Sequence, residues 1–437
     1  MRLTNVAHLR LPFGRLLGYD VTLSRPGREL PISFDQRRHL RDGDRPGSWM
    51  ALSFRLREPL PRDLLATAWL AVIERHGTLR SVFIPGADGE PRLHEVEVRP
   101  GAWVEHTIAP GQAVNDAVRD VLDRHCAPFD RPSHRLCVLE TAAGPTIVIG
   151  ADHAHVDMWS MLVIARDFLA ALEAARSGTV AELPEAAAFA EHTLVLRGHD
   201  AAPPEVRQRW AEVIDGSGGV MPRFPLPLGS GGAQPERVEV RDVFDVADSD
   251  AFAERARGFG VSTLSLAVSA MTTATRDLAA LPLRAVFPVH SRFDDTWYAS
   301  VGWFITNSVL ESADPDPAAC AAAVREAVRL GSWPLEEVLE PWGGMPEAPG
   351  MFAISWLDLR RLPVRIDATS LEAQYVGATI RTDGVMLWFI LDESGLHLRC
   401  RYPDTREARE HVGSWLDELV RLLQSAAHAE RGTTAGP

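Results

Sequence analysis

A Pro- and Gly-rich stretch, residues 179–235, separates two parts of the chain in which strand-like and helix-like patterns alternate. That arrangement limits the fold to two lobes of mixed α/β type, because neither a single barrel nor a helical array carries such a break. Ahead of it, residues 50–57 (MALSFRLR) partly alternate and read as a strand. Residues 63–75 read as a helix, with Asp63 as its cap after Pro61 and one apolar stripe made of Leu64, Leu65, Ala68, Trp69, Val72 and Ile73. A strand over 79–83, a helix over 115–125 and strands over 136–139 and 146–150 follow. A long amphipathic helix over 159–176 is closed by Ser177-Gly178. The Pro/Gly-rich segment reads as a crossover holding one helix, 205–213. Beyond it come strands over 238–246, 283–289, 352–356, 385–391 and 396–402, and helices over 249–259, 262–278 and about 406–423. The expected division is therefore 1–178 and 179–437, with no short internal repeat.

Composition excludes several classes. The formal charge is −14 and no lysine occurs, so all 45 basic residues are Arg. A nucleic-acid role is disfavoured, since a phosphate backbone needs a basic face. Cys126, Cys137, Cys320 and Cys400 lie far apart with no CxxC pair and read as reduced thiols of a cytoplasmic protein. His8, Arg10, Pro12 and Arg15 break the N-terminal region, so no signal-peptide stretch is expected there, and no run reaches the ~18 apolar residues of a membrane span. Neither GxGxxG nor GxxxxGK[ST] occurs, which leaves nucleotide-dependent chemistry without support.

The densest set of reactive side chains is 151-ADHAHVDMWS-160, between an apolar strand and a helix. Such junctions are where α/β proteins place reacting groups. Three readings compete. In the first, His153 is a general base and Asp157, four residues on, fixes the loop. In the second, His153, His155 and Asp157 form the start of the HxHxDH zinc signature of metallo-β-lactamase-like hydrolases, although Met158 stands where the closing His belongs. In the third the loop is only polar, and Asp157 caps the helix.

Other segments in order favour the first reading. Residues 152–158 (DHAHVDM) resemble the HHxxxDG motif of the condensation-domain superfamily, whose fold is that of chloramphenicol acetyltransferase. Upstream, 33-SFDQRRHL-40, 75-RHGTLRSVF-83 and 128-PFDRPSHRLCVLE-140 resemble the family's SxxQxRLW, RHExLRTxF and PFDLxxxPLxR segments. Downstream, 301-VGWFITNSV-309 is similar to VGxFxNT, with Thr306 and Asn307 exchanged, and Arg292 lies nine residues before Val301, where the family carries an Arg. The chain is most similar to the branch of stand-alone polyketide-associated acyltransferases, which includes mycobacterial enzymes acylating trehalose lipids. Residues 221-MPRFPLPLG-229, 302-GWF-304, 350-GMFAISWLD-358 and 402-YPDT-405 look like that branch's segments.

The resemblance implies two chloramphenicol-acetyltransferase-like lobes forming a V with a central channel, and His153 midway along it. It implies a monomeric acyltransferase with no bound cofactor and no metal. The acyl group would pass from a phosphopantetheine thioester, as CoA or acyl carrier protein, to a hydroxyl or amine acceptor, in lipid or specialised-metabolite (polyketide, nonribosomal peptide) biosynthesis. His153 falls on the catalytic His and Asp157 on the Asp, which would pair with Arg292 from the second lobe. Candidates for lining the channel or holding the oxyanion are Met158, Trp159, Ser160, Gly302, Trp303 and Asn307. Two departures bear on the site. Asp152 replaces the first His and is expected to raise the pKa of His153, or to mark a site that has lost activity. Met158 replaces Gly and would narrow the acceptor side. Some members of the family are docking platforms with altered histidine motifs, and a recruitment role is the second reading.

Overall fold

The computed structural model describes residues 1–229 and 231–428. The chain forms two compact units, and each is discontinuous in sequence. The first holds Met1–Asp200, His290–Ile305 and Arg361–Ile380; the second holds Ala201–Val289, Thr306–Arg360 and the chain from Arg381 on. The sequence reading placed a single cut after residue 178. Composition marks where the chain stops packing regularly, whereas strand pairing decides which segments belong together. The strand Gln374–Gly377 shows this: it lies between Arg2–Asn5 and Trp49–Arg55 in the first sheet.

That first sheet has seven strands, in the order Arg2–Asn5, Gln374–Gly377, Trp49–Arg55, Thr146–Asp152, His134–Glu140, Arg15–Leu23, Val98–His106. Thr146–Asp152 is the central strand, antiparallel to both neighbours, and all seven of its residues are buried. A strand covered on both faces reads as an unbroken apolar run, which TIVIGAD nearly is until Asp152. The long helix Met158–Ser177 follows directly. Asp157 is its N-cap, and Gly178 closes it at φ 66°, a left-handed backbone that glycine adopts without strain. Its buried face carries Met161, Leu162, Ile164, Ala165, Phe168 and Leu172, worth about 1.5–3 kcal/mol for each large side chain. The neighbouring helix Arg62–Arg75 starts after Pro61 with no side-chain cap; Asp63, expected to be the cap, lies inside the first turn.

In the second unit a seven-stranded sheet runs Ile305–Ser312, Leu283–His290, Phe352–Asp358, Val385–Asp392, Gly395–Pro403, Gln234–Phe244, Arg381–Thr382. Its covered face packs on helices Thr263–Ala279 and Arg406–His428 in a core that includes Met271, Phe352, Phe389, Leu398, Tyr402 and Trp415. The expected crossover holds two helices rather than one, Phe189–Arg197 and Pro204–Gly216, and its Ser230 lies outside the described residues. All four cysteines are free and buried. No helix among the described residues is long and apolar enough to cross a membrane.

Candidate active site

The histidine loop begins where the central strand ends, and several short segments fix it from outside. The N-terminal helix Phe34–Leu40 starts with a capping box between Ser33 and Gln36. Gln36, itself buried, also donates through Nε2 to the Ala154 carbonyl at 2.9 Å. One turn later, His39 Nε2 lies 3.3 Å from Asp152 Oδ2. The RHxxLR segment acts further back. Arg75 Nε and His76 Nε2 both reach Asp167 of the long helix at 2.8 Å, and Thr78 Oγ1 donates to the Val301 carbonyl at 2.6 Å. The base of the loop rests on a core of Phe83, Ala154, Phe189, Trp297, Trp303 and Phe304.

His153 is only partly buried, although both its neighbours are buried. Its Nδ1 sits 2.8 Å from the Val156 carbonyl. A carbonyl only accepts, so Nδ1 carries the proton and the lone pair of the neutral ring is on Nε2. The ring stacks on Trp303, with centroids 4.3 Å apart and planes 25° apart. Burial pushes the His153 pKa below its usual 6.5, and the charge on His39 pushes the same way; backbone hydrogen bonding, Asp152 and Asp157 act against them without prevailing. The net shift is thus downward, although Asp152 acts in the expected direction. Its carboxylate is engaged by His39 and by the Ala154 N–H at 2.8 Å. Burial drives the Asp152 carboxyl up, and the hydrogen bond and charge of His39 overcome that and hold it below the carboxylate norm.

Asp157 and Arg292 form the most tightly knit part of the site. Arg292 Nη1 donates to Asp157 Oδ2 at 2.7 Å and Nη2 to Oδ1 at 3.2 Å, with both side chains essentially inaccessible. Asp157 also accepts from the Ser160 N–H at 2.6 Å and the Phe304 N–H at 3.1 Å. The guanidinium lies over Phe304 at 4.0 Å and Trp159 at 4.7 Å. Burial raises the Asp157 carboxyl, and the charge and hydrogen bonds of Arg292, helped by Ser160, bring it below its ordinary value. Arg292 was expected from the second lobe; it sits on the segment His290–Ile305, which returns to the first unit.

The remaining candidates separate. Ser160 Oγ donates to the Gly302 carbonyl at 2.8 Å and accepts from the Gly302 N–H at 3.0 Å and Arg292 Nη2 at 2.8 Å. With no accessible surface and every valence used, it ties loop to segment and has nothing left for an oxyanion. Gly302 is the other half of that tie. Trp159 donates through Nε1 to the Tyr298 carbonyl at 3.1 Å, and the Met158 carbonyl accepts from the Tyr375 hydroxyl at 2.9 Å; the Met158 side chain is partly exposed. Trp303 Nε1 is buried with no partner among the described residues. Asn307 belongs to the second unit. The side chains of the zinc reading have different surroundings: His155 packs edge-on to Phe83 at 5.0 Å, His153 bonds Val156 and Asp157 holds Arg292. Among the described residues no group of three or more His, Cys, Asp or Glu is gathered to hold a metal. Gln36 and His39 were missed as site residues, although the segment containing them had been singled out.

A two-unit α/β fold with a His-x-x-x-Asp loop pinned by an Arg defines a class. The Condensation domain family model matches residues 30–324, and the chain belongs to the condensation-domain family. Acyltransferase PapA3 of Mycobacterium tuberculosis (strain ATCC 25618 / H37Rv) is 24% identical over 437 residues, covering 92% of this chain and 90% of PapA3. The isonitrile lipopeptide synthase of the same strain is 27% identical over 331 residues, covering 70% of this chain but 13% of the synthase. Among solved structures, PapA2 acyl transferase superposes with a TM-score of 0.86 at 19% identity, over 98% of this chain and 100% of that one. The first condensation domain of the CDA synthetase gives 0.71 at 15% identity, over 92% and 96%. The two structural likenesses show the fold; the family match and the likeness to PapA3 carry the assignment to acyltransferases of the condensation-domain family.

Proposed function

We propose that the chain transfers an acyl group from a pantetheine thioester, on CoA or a carrier protein, to a hydroxyl or amine acceptor, with His153 as general base. The observation that carries this is the Nδ1 bond to Val156, which leaves the Nε2 lone pair free on a ring that is partly exposed and held flat against Trp303. Nε2 takes the acceptor's proton as its oxygen or nitrogen bonds to the thioester carbon. The C–S bond then breaks, and the imidazolium returns the proton to the leaving sulfur, so no covalent enzyme intermediate is needed. The pKa lowered by burial keeps the ring neutral, as a base must be, at neutral pH. Asp157 and Arg292 bear no proton in the cycle; they fix the loop. In this role Asp152 is a support for the loop and Met158 lines the site.

The test is to incubate the full chain with a panel of acyl-CoA and acyl-carrier thioesters, with and without hydroxyl and amine acceptors. Free thiol and acylated product are then followed by mass spectrometry. Acceptor-dependent thiol release is expected. Carrier binding with no thiol release from any donor would point instead to the docking role.

A further inference from the structure

The second unit's sheet has one face in the core, lined by Leu398, Cys400 and Tyr402 of the strand Gly395–Pro403. Strand alternation puts Arg399 and Arg401 on the other face. Cross-strand register places Trp388 opposite Arg399 and Met386 opposite Arg401 on one side, with Val240 and Val238 opposite them on the other. Both guanidiniums sit over the Trp388 ring, Arg399 at 4.8 Å and Arg401 at 5.2 Å from its centroid.

Two like charges share one indole in a place where water is scarce. Arg399 is 2% exposed, and its Nε and Nη2 have no hydrogen-bond partner among the described residues; Arg401 Nε has none either. The Glu236 carboxylate is 3.9 Å from Arg401 Nη1. Burial, then the charge of Arg401, push the Arg399 pKa down to about 10, with Glu236 acting against them. A buried guanidinium with donors to spare is costly unless something accepts from it. Val240, opposite Arg399 on the same face, is 42% exposed, so solvent reaches this face one strand away from the buried guanidinium.

We propose that Arg399 and Arg401, stacked on Trp388, form a binding site for a ligand carrying a small oxyanion, a carboxylate, sulfate or phosphate group. The planar fork of a guanidinium offers two parallel N–H donors to such a group, and the unpartnered Nε and Nη2 of Arg399 are one such edge. The indole holds both cations in place before the anion arrives. This site uses none of the residues of the histidine loop, and it stands or falls apart from the acyl-transfer reading.

The test is thermal unfolding and calorimetric titration of the full chain with sodium sulfate, phosphate and acetate, each at constant ionic strength against chloride. Wild type is compared with Arg399→Met and with Arg399→Lys, which keeps the charge but loses the fork. Expected is a saturable rise in Tm and measurable heat for at least one oxyanion, weakened about tenfold or more by Arg399→Met and partly by Arg399→Lys. The preferred anion tells a planar carboxylate from a tetrahedral group. Should Arg399→Met fail to fold, Trp388→Leu, which removes the platform, takes its place and is expected to weaken binding. No saturable response in wild type, or the same response in the variants, overturns the proposal.

Discussion

Replacing Arg292 by Leu removes one partner of a fully buried ion pair and leaves the other in place. Asp157 keeps two backbone donors, the N–H groups of Ser160 and Phe304, but loses both guanidinium bonds and the positive charge that offsets its burial. The Ser160 hydroxyl loses a donor, and Trp159 and Phe304 lose the cation stacked on them. Orphaning one member of a buried pair costs about 3–5 kcal/mol. In a unit of this size about 1 kcal/mol moves Tm by about 2–4 °C, so a drop of roughly 6–20 °C is expected. The cost depends on pH, with a sign that can be worked out. In the wild type the folded pKa of Asp157 is depressed, so its contribution is present above the unfolded carboxylate value and fades as pH falls through the folded one. In the variant burial is no longer offset by the guanidinium, so that pKa rises even with the Ser160 and Phe304 N–H donors in place; below it the carboxyl is protonated and needs no counter-charge. The Tm gap is therefore largest near pH 7–8 and narrows towards pH 4. Differential scanning calorimetry across that range reads both effects. A drop under about 2 °C, or a gap that does not change with pH, would refute the reasoning.

Three further outcomes follow from the same contacts. A Cβ on Gly302 would meet the Phe189 ring at 2.4 Å, so Gly302→Ala should cost about 1–3 kcal/mol by overpacking, read by denaturant unfolding. Ser160→Ala should destabilise by about 1–3 kcal/mol, because the buried Gly302 N–H loses its acceptor; a variant of full stability with a collapsed rate would restore Ser160 as an oxyanion donor. His39→Gln removes a charge that lowers the His153 pKa, so the acid limb of kcat/KM against pH should move upward, towards 6.5; an unmoved or lower limb would contradict the electrostatic account.

Much of this was legible in residue patterns. Met158–Ser177 and Val114–His125 were expected to within a residue or two, because their apolar stripes have helical spacing and both end in recognisable breaks. The strand Arg15–Leu23 was not foreseen: Gly18 and Asp20 interrupt its pattern, and it is held by pairing with Leu136–Glu140 and Val98–His106, which are far off in sequence. The loop carrying His153 and Asp157 stood out because strand, reactive residues and helix are contiguous. The partners that set its chemistry do not stand out in that way. His39 lies 113 residues before Asp152, and the role of Ser160 depends on Gly302, 142 residues away. Trp303 shows the limit most clearly. The resemblance marks it as a channel or oxyanion candidate, and only the fold reveals that it lies flat on the His153 ring.

The central claim is that one imidazole nitrogen, Nε2 of His153, takes the acceptor's proton. The direct measurement is kcat/KM for acceptor-dependent thiol release by His153→Ala and wild type, with circular dichroism and Tm checked on both. The account predicts an unchanged fold and a rate lower by about 10²–10⁴-fold. A folded His153→Ala protein that transfers acyl groups at the wild-type rate would contradict it.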